Sequence, residues 1–214
     1  ERLMRVVVVG ATGNVGTSVL AALQHEPAVG SVLGVARRLP GLELPKVEWA
    51  AADITHDELA PHFRGADCVV HLAWKIQPSR DAGALRATNV HGSSRVFRAA
   101  VEARVPTLVY ASSVGAYSPG PKDRRVDESW PTHALPTAAY GRQKSYIERV
   151  LDALEPTVPM RIVRIRSAFV FQRSASPEQR RIFAGPFVPG RLLASKVLPI
   201  LPLLADPRAA QGGD

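Results

Sequence analysis

The stretch VVVVGATGNVG, Val6 to Gly16, continued by an apolar-periodic run to Leu23, decides the fold. Four consecutive β-branched residues read as a strand buried on both faces, and glycines at 10, 13 and 16 follow it at once. Glycine at the first of these positions permits a tight turn, at the second it lets backbone approach a pyrophosphate, and at the third it lets a helix pack closely on the sheet. A helix opening near Asn14 points its unpaired N–H groups and the positive end of its dipole at such a phosphate. The glycines stand between an expected strand and an expected helix, which is the setting a dinucleotide-binding turn requires. Gly10, Thr12, Gly13, Asn14, Val15 and Gly16 are therefore the phosphate-side candidates.

Working outward, Ser31 to Ala36 reads as a second strand that ends roughly twenty residues past the glycine loop. An acid at that place accepts hydrogen bonds from the adenosine ribose and favours NAD. The chain has Ala36, Arg37 and Arg38 there instead. A guanidinium holds a 2′-phosphate through paired, charge-assisted hydrogen bonds, so the reading is NADP, with NAD as the alternative. Val47 to Ala50 is a short third strand closed by Ala52-Asp53-Ile54. Asp53 is placed either to meet an adenine amino group or to cap a helix expected from Thr55 to Phe63.

Asp67 to Ala73 reads as a fourth strand, with His71 as a core histidine. No other histidine or cysteine stands at metal-ligand spacing from it, and no metal is expected. A helical segment from about Asp81 to Arg104 carries Asn89 in its interior, where asparagine has poor propensity; a specific hydrogen-bonding role or a local kink is expected there. Val105 to Ala111 forms the next strand and delivers Ser112 and Ser113 at its carboxyl end, where ligands bind in open parallel sheets. The proline-rich stretch from Tyr117 to Thr137 reads as a loop over the site. A helix from Ala138 to Leu154 places Tyr140 and Lys144 at i and i+4 on one face, and Met160 to Arg166 is a further strand. Alternating strands and helices predict an α/β, Rossmann-like, doubly wound parallel sheet.

Tyr140 and Lys144 have a chemical reason to stand together. A phenol is a poor base at neutral pH, and an adjacent ammonium stabilises its phenolate. With a serine hydroxyl holding the substrate oxygen, Tyr140 can give or take a proton while hydride passes to or from a nicotinamide.

The ordered set GATGNVG, ASSVGAY (Ala111 to Tyr117) and YGRQK (Tyr140 to Lys144) resembles the extended short-chain dehydrogenase/reductase family, also called the NAD-dependent epimerase/dehydratase family. The resemblance runs from about Arg5 to Phe171. It implies Tyr140 as the catalytic acid/base, Lys144 as its modulator and a ligand of the nicotinamide ribose, and Ser113, rather than Ser112, as the hydroxyl that orients the reacting oxygen. It also implies that Asn89 lies near the cofactor, that Asp53 and Ile54 meet the adenine, and that Leu72 and Ala73 form a loop against the cofactor. The 4,6-dehydratases of the family carry an Asp-Glu pair where Val114 and Gly115 stand here, so that activity is disfavoured. Members commonly have proline soon after the arginine of the sixth strand, whereas Ser167 and Ala168 follow Arg166. The implied substrates are nucleotide sugars or other small ketones and alcohols. Such proteins often dimerise through helices corresponding to Ser93 to Val101 and Tyr146 to Leu154, so a homodimer is expected. The competing class is a non-catalytic NADP-binding module that senses redox state or supports a partner.

Composition sets limits on other classes. The chain has 214 residues, 46% hydrophobic and 21% charged, an ordinary globular balance with room for one good core. The division expected is a nucleotide-binding domain over 1–171 and a partial substrate-binding segment over 172–214, where Arg173, Arg180 and Arg181 are available to a diphosphate. The net charge of +8 is spread along the chain without aromatic interleaving, which argues against nucleic-acid binding. Leu192 to Leu204 contains Lys196 and two prolines and is too short for a membrane span. The single cysteine, Cys68, reads as a core thiol and suits a reducing compartment, so a cytoplasmic protein is expected.

Overall fold

The computed structural model describes residues 2–76 and 81–170. The substrate segment expected at 172–214, with its arginines and the Leu192 to Leu204 run, lies outside the described residues. The chain forms β1 (Met4–Val9), α1 (Asn14–Leu23), β2 (Val29–Ala36), β3 (Val47–Ala51), α2 (Ala60–Phe63), β4 (Cys68–His71), α3 (Ala82–Arg86), α4 (Ser93–Glu102), β5 (Thr107–Ala111), α5 (Ala139–Leu154) and β6 (Arg161–Ile165). All strand pairs are parallel, in the order β3-β2-β1-β4-β5-β6. This is the doubly wound Rossmann arrangement, and the strand order reverses at the boundary between β1 and β4.

The unbroken valine run of β1 is explained by its central place. Successive side chains of a strand point to opposite faces. Val7 and Val9 enter a core with Phe63, Phe97, Leu108, Ile147 and Leu151, while Val6 and Val8 enter another with Leu20, Val29 and Val32. After β1 the chain turns at Gly10 with φ +85°, and a Cβ there would come within 2.6 Å of the Ala73 backbone nitrogen. Only glycine combines that dihedral with that approach. At Gly16 a Cβ would run into the carbonyl oxygen of Gly10, so α1 lies tightly over the turn.

Two expectations are corrected. The helix expected over 55–63 is reduced to Ala60–Phe63. Residues 53–57 instead close a turn of their own: the Asp53 carboxylate accepts from the Thr55 N–H and hydroxyl at 2.9 and 2.7 Å, and Asp57 accepts from the Asp53 N–H at 2.7 Å. Asx turns of this kind compete with helix. Cys68 is half-buried rather than fully inside.

The helix expected from 81 to 104 is present but not uniform. A π-helical turn, Ala87–Gly92, separates α3 from α4 and contains Asn89. The stretch from Tyr117 to α5 is a loop apart from the 3-10 turn Val114–Ala116 that precedes it. It is tied down by Ser118 N to Pro131 O, Ala134 N to Ala116 O, and Arg149 of α5 donating to Thr132. Beyond β6, where the expected proline is missing, Ser167 accepts from the Val114 N–H at 3.0 Å, so the chain there still packs beside the 3-10 turn.

Candidate active site

The glycine turn, the carboxyl ends of β2 and β3, and the segment after β4 enclose a cleft of about 190 Å³ at the topological switch point. Nine of the expected cofactor residues line it: Gly10, Thr12, Gly13, Ala36, Arg37, Asp53, Ile54, Leu72 and Ala73. Trp74, Lys75 and Thr88 line it as well. Asn14, Val15 and Gly16 form the first turn of α1 rather than the cleft wall, and Arg38 is exposed outside it. Gly13 is the N-cap of α1, no side chain caps this end, and the first turn carries no acidic residue. The N-terminal N–H groups therefore face the cleft without a carboxylate competing for them, which fits a phosphate. The buried Oδ1 of Asn14 has no partner among the described residues, while its Nδ2 donates to the Val170 carbonyl at 2.9 Å.

At the cleft's acidic edge, burial pushes the Asp53 carboxyl up, but the two Thr55 hydrogen bonds, with His56 and Arg37 beyond them, outweigh it and hold the group below its ordinary value. An ionised acceptor beside Arg37 makes this corner suited to the polar end of a nucleotide.

The reacting groups come from the neighbouring strand end. Strand β5 ends at Ala111, and the next two serines point to different places. Ser112 Oγ donates to the buried Glu148 at 2.5 Å. Ser113 Oγ accepts from the Gly115 N–H at 3.1 Å, capping the 3-10 turn, and lies towards Tyr140: a Cβ at Gly115 would stand 3.4 Å from both the Ser113 hydroxyl and the Tyr140 ring. Helix α5 brings Tyr140 in because Gly141 permits it: a Cβ at 141 would stand 2.5 Å from the Gly115 carbonyl oxygen. Ser113, Gly115 and Tyr140 thus form one packed cluster, and Tyr140 keeps 38% exposure.

Lys144 lies one turn further on and is only 3% exposed. Its Nζ donates to the Ala111 carbonyl at 2.6 Å and stands 3.6 Å from the centroid of the Trp74 ring, 4.9 Å from that of Tyr110 and 5.9 Å from that of Tyr140. Burial pulls this ammonium down to about 7, with Glu148 partly opposing it. Burial likewise pushes the Tyr140 phenol above its ordinary value, and the nearby Ser113 hydroxyl only partly offsets it. Here the geometry departs from the simple expectation of an ammonium stabilising a phenolate. The Nζ is committed to Ala111 and the Trp74 face, and Tyr140 is a neutral hydroxyl at pH 7, a proton donor.

Asn89 is 1% exposed, and its amide is fully used. Oδ1 accepts from Lys75 N at 2.7 Å, and Nδ2 donates to Lys75 O at 3.1 Å and to Gln143 Oε1 at 2.8 Å. The π-helical turn turns this side chain out of the helical register to brace the cleft wall against α5. His71 sits in the core, bonded to Ser93 at 2.8 Å and stacked on Tyr110, and burial first, then Lys144, pulls it to about 3. Among the described residues, no group of His, Cys, Asp and Glu side chains is arranged to hold a metal ion.

Three residues of this neighbourhood escaped the sequence reading. Trp74 stacks edge-on to Tyr140 at 6.1 Å and covers Lys144; its only signal was its place directly after Leu72-Ala73. Gln143 is the partner of Asn89. Glu148 stands at i+4 from Lys144, a spacing that was available but that equally describes a solvated charge on a helix face.

Known proteins share this architecture. The profile of the NAD dependent epimerase/dehydratase family matches residues 6–184. A putative dihydroflavonol 4-reductase of Synechocystis sp. is 27% identical over 150 residues, which is 66% of this chain and 42% of that protein. A short-chain dehydrogenase/reductase superfamily protein from Agrobacterium tumefaciens, solved with bound NAD, superposes with a TM-score of 0.66 at 28% identity, over 76% of this chain and 48% of that one. Thermus thermophilus UDP-glucose 4-epimerase in complex with NAD superposes with a TM-score of 0.64 at 25% identity, over 76% and 54%. The chain thus spans about half or less of the length of these relatives. The family profile spans most of the chain: the chain belongs to the NAD-dependent epimerase/dehydratase family.

Proposed function

We propose that the chain carries the cofactor-binding and catalytic part of an NAD(P)-dependent oxidoreductase or epimerase acting at a carbinol or carbonyl centre. The observation that carries this reading is the packing of Ser113, Gly115 and Tyr140 into one cluster beyond the end of β5, one helical turn from buried Lys144 and next to the glycine-turn cleft. A bound nicotinamide dinucleotide supplies or accepts the hydride. Gly13 and the first turn of α1 hold its phosphates, Asp53 and Ile54 its adenosine end, and Leu72, Ala73 and Asn89's brace at Lys75 the wall along it. Ser113 orients the substrate oxygen. Tyr140, neutral in its buried setting, donates the proton as a carbonyl is reduced, and takes it back in the reverse direction. Lys144 supplies positive potential behind the phenol as phenolate character develops.

Arg37 on the cleft wall, with no acid at that strand end, supports a 2′-phosphate and hence NADP; the family's NAD-bound members support NAD. The substrate classes the relatives point to are nucleotide sugars, as in the epimerase, and small or hydrophobic ketones, as in the reductase. Val114 and Gly115 at the 3-10 turn supply neither acid nor base, which weighs against a 4,6-dehydratase. A homodimer through α4 and α5 is part of the proposal, with Tyr146 exposed on α5 as its first contact, as is a cytoplasmic location. No helix among the described residues is long and apolar enough to cross a membrane.

The test is consumption of NADPH and NADH, and formation of the epimer in the presence of oxidised cofactor, by the full chain against a panel of nucleotide sugars, aldoses and hydrophobic ketones. Turnover of any member supports the reading. Dinucleotide binding without turnover of any member favours the non-catalytic module.

A further inference from the structure

Glu148 is a carboxylate with 0% exposure in the middle of α5. Ser112 Oγ donates to its Oε1 at 2.5 Å, Arg166 donates from Nε at 3.0 Å and Nη2 at 2.9 Å, and Arg164 stands 3.8 Å away. A buried carboxylate with three donors and two guanidiniums is ionised, and these partners hold it below the carboxylate range although burial alone pushes it up. It lies one helical turn beyond Lys144, on the same face. Among the described residues, Lys144 has no carboxylate in contact; its polar partner is the Ala111 carbonyl, and the aromatic faces of Trp74 and Tyr110 lie beside it.

We infer that Glu148 is a positioning residue whose buried negative charge, one turn along α5, supports the Lys144 ammonium against the pull of burial. Its importance for catalysis rests on the reading of Tyr140 and Lys144 given above; the coupling between the two charges does not. The other titratable groups facing Lys144 do not substitute for it. Tyr140 and Tyr110 are neutral, and burial leaves His71 uncharged. Arg164 and Arg166, reaching Glu148 from β6 and just beyond it, are positive and oppose the ammonium. Removal of the Glu148 charge therefore leaves a buried cation whose ionic neighbours among the described residues are repulsive. Arg166 also donates to Tyr117 Oη and the Glu128 carbonyl at 3.1 Å each, so the same carboxylate anchors the loop that borders Tyr140.

The experiment is a pH titration of the full chain labelled with 13C-lysine. The chain has five lysines, and the Lys144 signal is identified by its loss in Lys144→Arg. In Glu148→Gln the Lys144 midpoint falls by about one pH unit, a roughly tenfold loss of ammonium relative to amine at a given pH. In Arg166→Gln, which frees the carboxylate from a competing cation, the midpoint rises. A folded Glu148→Gln whose midpoint stays within about a fifth of a unit of wild type overturns the inference. Where Glu148→Gln does not fold, a fixed or falling midpoint in Arg166→Gln overturns it. Neither titration needs cofactor or substrate. A midpoint that moves while the pH profile of kcat/KM stays fixed keeps the coupling and removes Lys144 from the catalytic reading.

Discussion

Replacing Asn89 by alanine tests how the cleft wall is built. Asn89 makes three hydrogen bonds from a site that is 1% exposed, two to the backbone of Lys75 and one to Gln143. A net hydrogen bond contributes about 1 kcal/mol, and a donor or acceptor left orphaned costs about 1–3 kcal/mol where water cannot reach it. Lys75 is half-buried, so its freed N–H and C=O fall at the lower end of that range. Alanine recovers about 0.6 kcal/mol of helix propensity. The expected loss is about 2–3 kcal/mol, or a fall in Tm of about 5–10 °C for a chain of this size. Urea unfolding followed by circular dichroism measures it. Because Lys75 lines the cleft, dinucleotide affinity falls as well. Gln143→Ala removes one of the three bonds and is expected to cost about 1 kcal/mol, with Asn89→Ala and Gln143→Ala less than additive. A loss below about 0.5 kcal/mol in Asn89→Ala, the level of an ordinary surface change, refutes the assignment of the π-helical turn to this bracing.

Arg37→Asp is expected to weaken NADPH binding by about 10- to 100-fold, the worth of a charged hydrogen bond to the 2′-phosphate, and to leave NADH binding equal or tighter; fluorescence titration of both cofactors checks it, and an unmoved ratio removes the NADP argument. Lys144→Met tests the buried ammonium by its pH dependence. Because Lys144 titrates at about 7, the unfolded chain holds a proton that the folded chain lacks between about pH 7 and 10, so wild-type stability from this group rises with pH across that window by about 1.4 kcal/mol per unit. Relative to wild type, Lys144→Met is therefore more stable at pH 6 than at pH 9, by about 3 kcal/mol; a difference that is constant across pH contradicts the depressed ammonium. Gly10→Ala forces a side chain into φ +85° and against the Ala73 nitrogen, at about 2–4 kcal/mol in unfolding experiments, and a cost below 1 kcal/mol shows that the turn relaxes freely.

Much of the fold was legible because β1 and the glycine turn report local requirements. An unbroken valine run needs burial on two faces, and Gly10 needs both its dihedral and its close neighbour. The strands that follow repeat the same logic, so their order of appearance with helices implied the parallel sheet. Ser113 lies beside Tyr140 and Ser112 turns to buried Glu148, a difference between neighbouring serines that the strand pattern does not register. What was hidden depends on partners far along the chain. The kink at Asn89 was anticipated from propensity, but its form follows from Lys75 and Gln143, 14 and 54 residues away. Glu148 looks solvated in the helix pattern but is buried where Ser112 and Arg166 converge on it from just beyond β5 and β6. The turn at 53–57 displaced a helix because Asp53 and Asp57 satisfy each other's backbone, an arrangement that periodicity does not register.

The central claim is that Tyr140 transfers the proton that accompanies hydride transfer at this cleft. The direct measurement is single-turnover loss of reduced-nicotinamide absorbance, with saturating cofactor and a carbonyl substrate found by the panel, in wild type and Tyr140→Phe. The account predicts equal cofactor binding by the two proteins and a rate reduced about 10²- to 10⁴-fold in the variant. Equal rates, or no dinucleotide binding by wild type, contradict it.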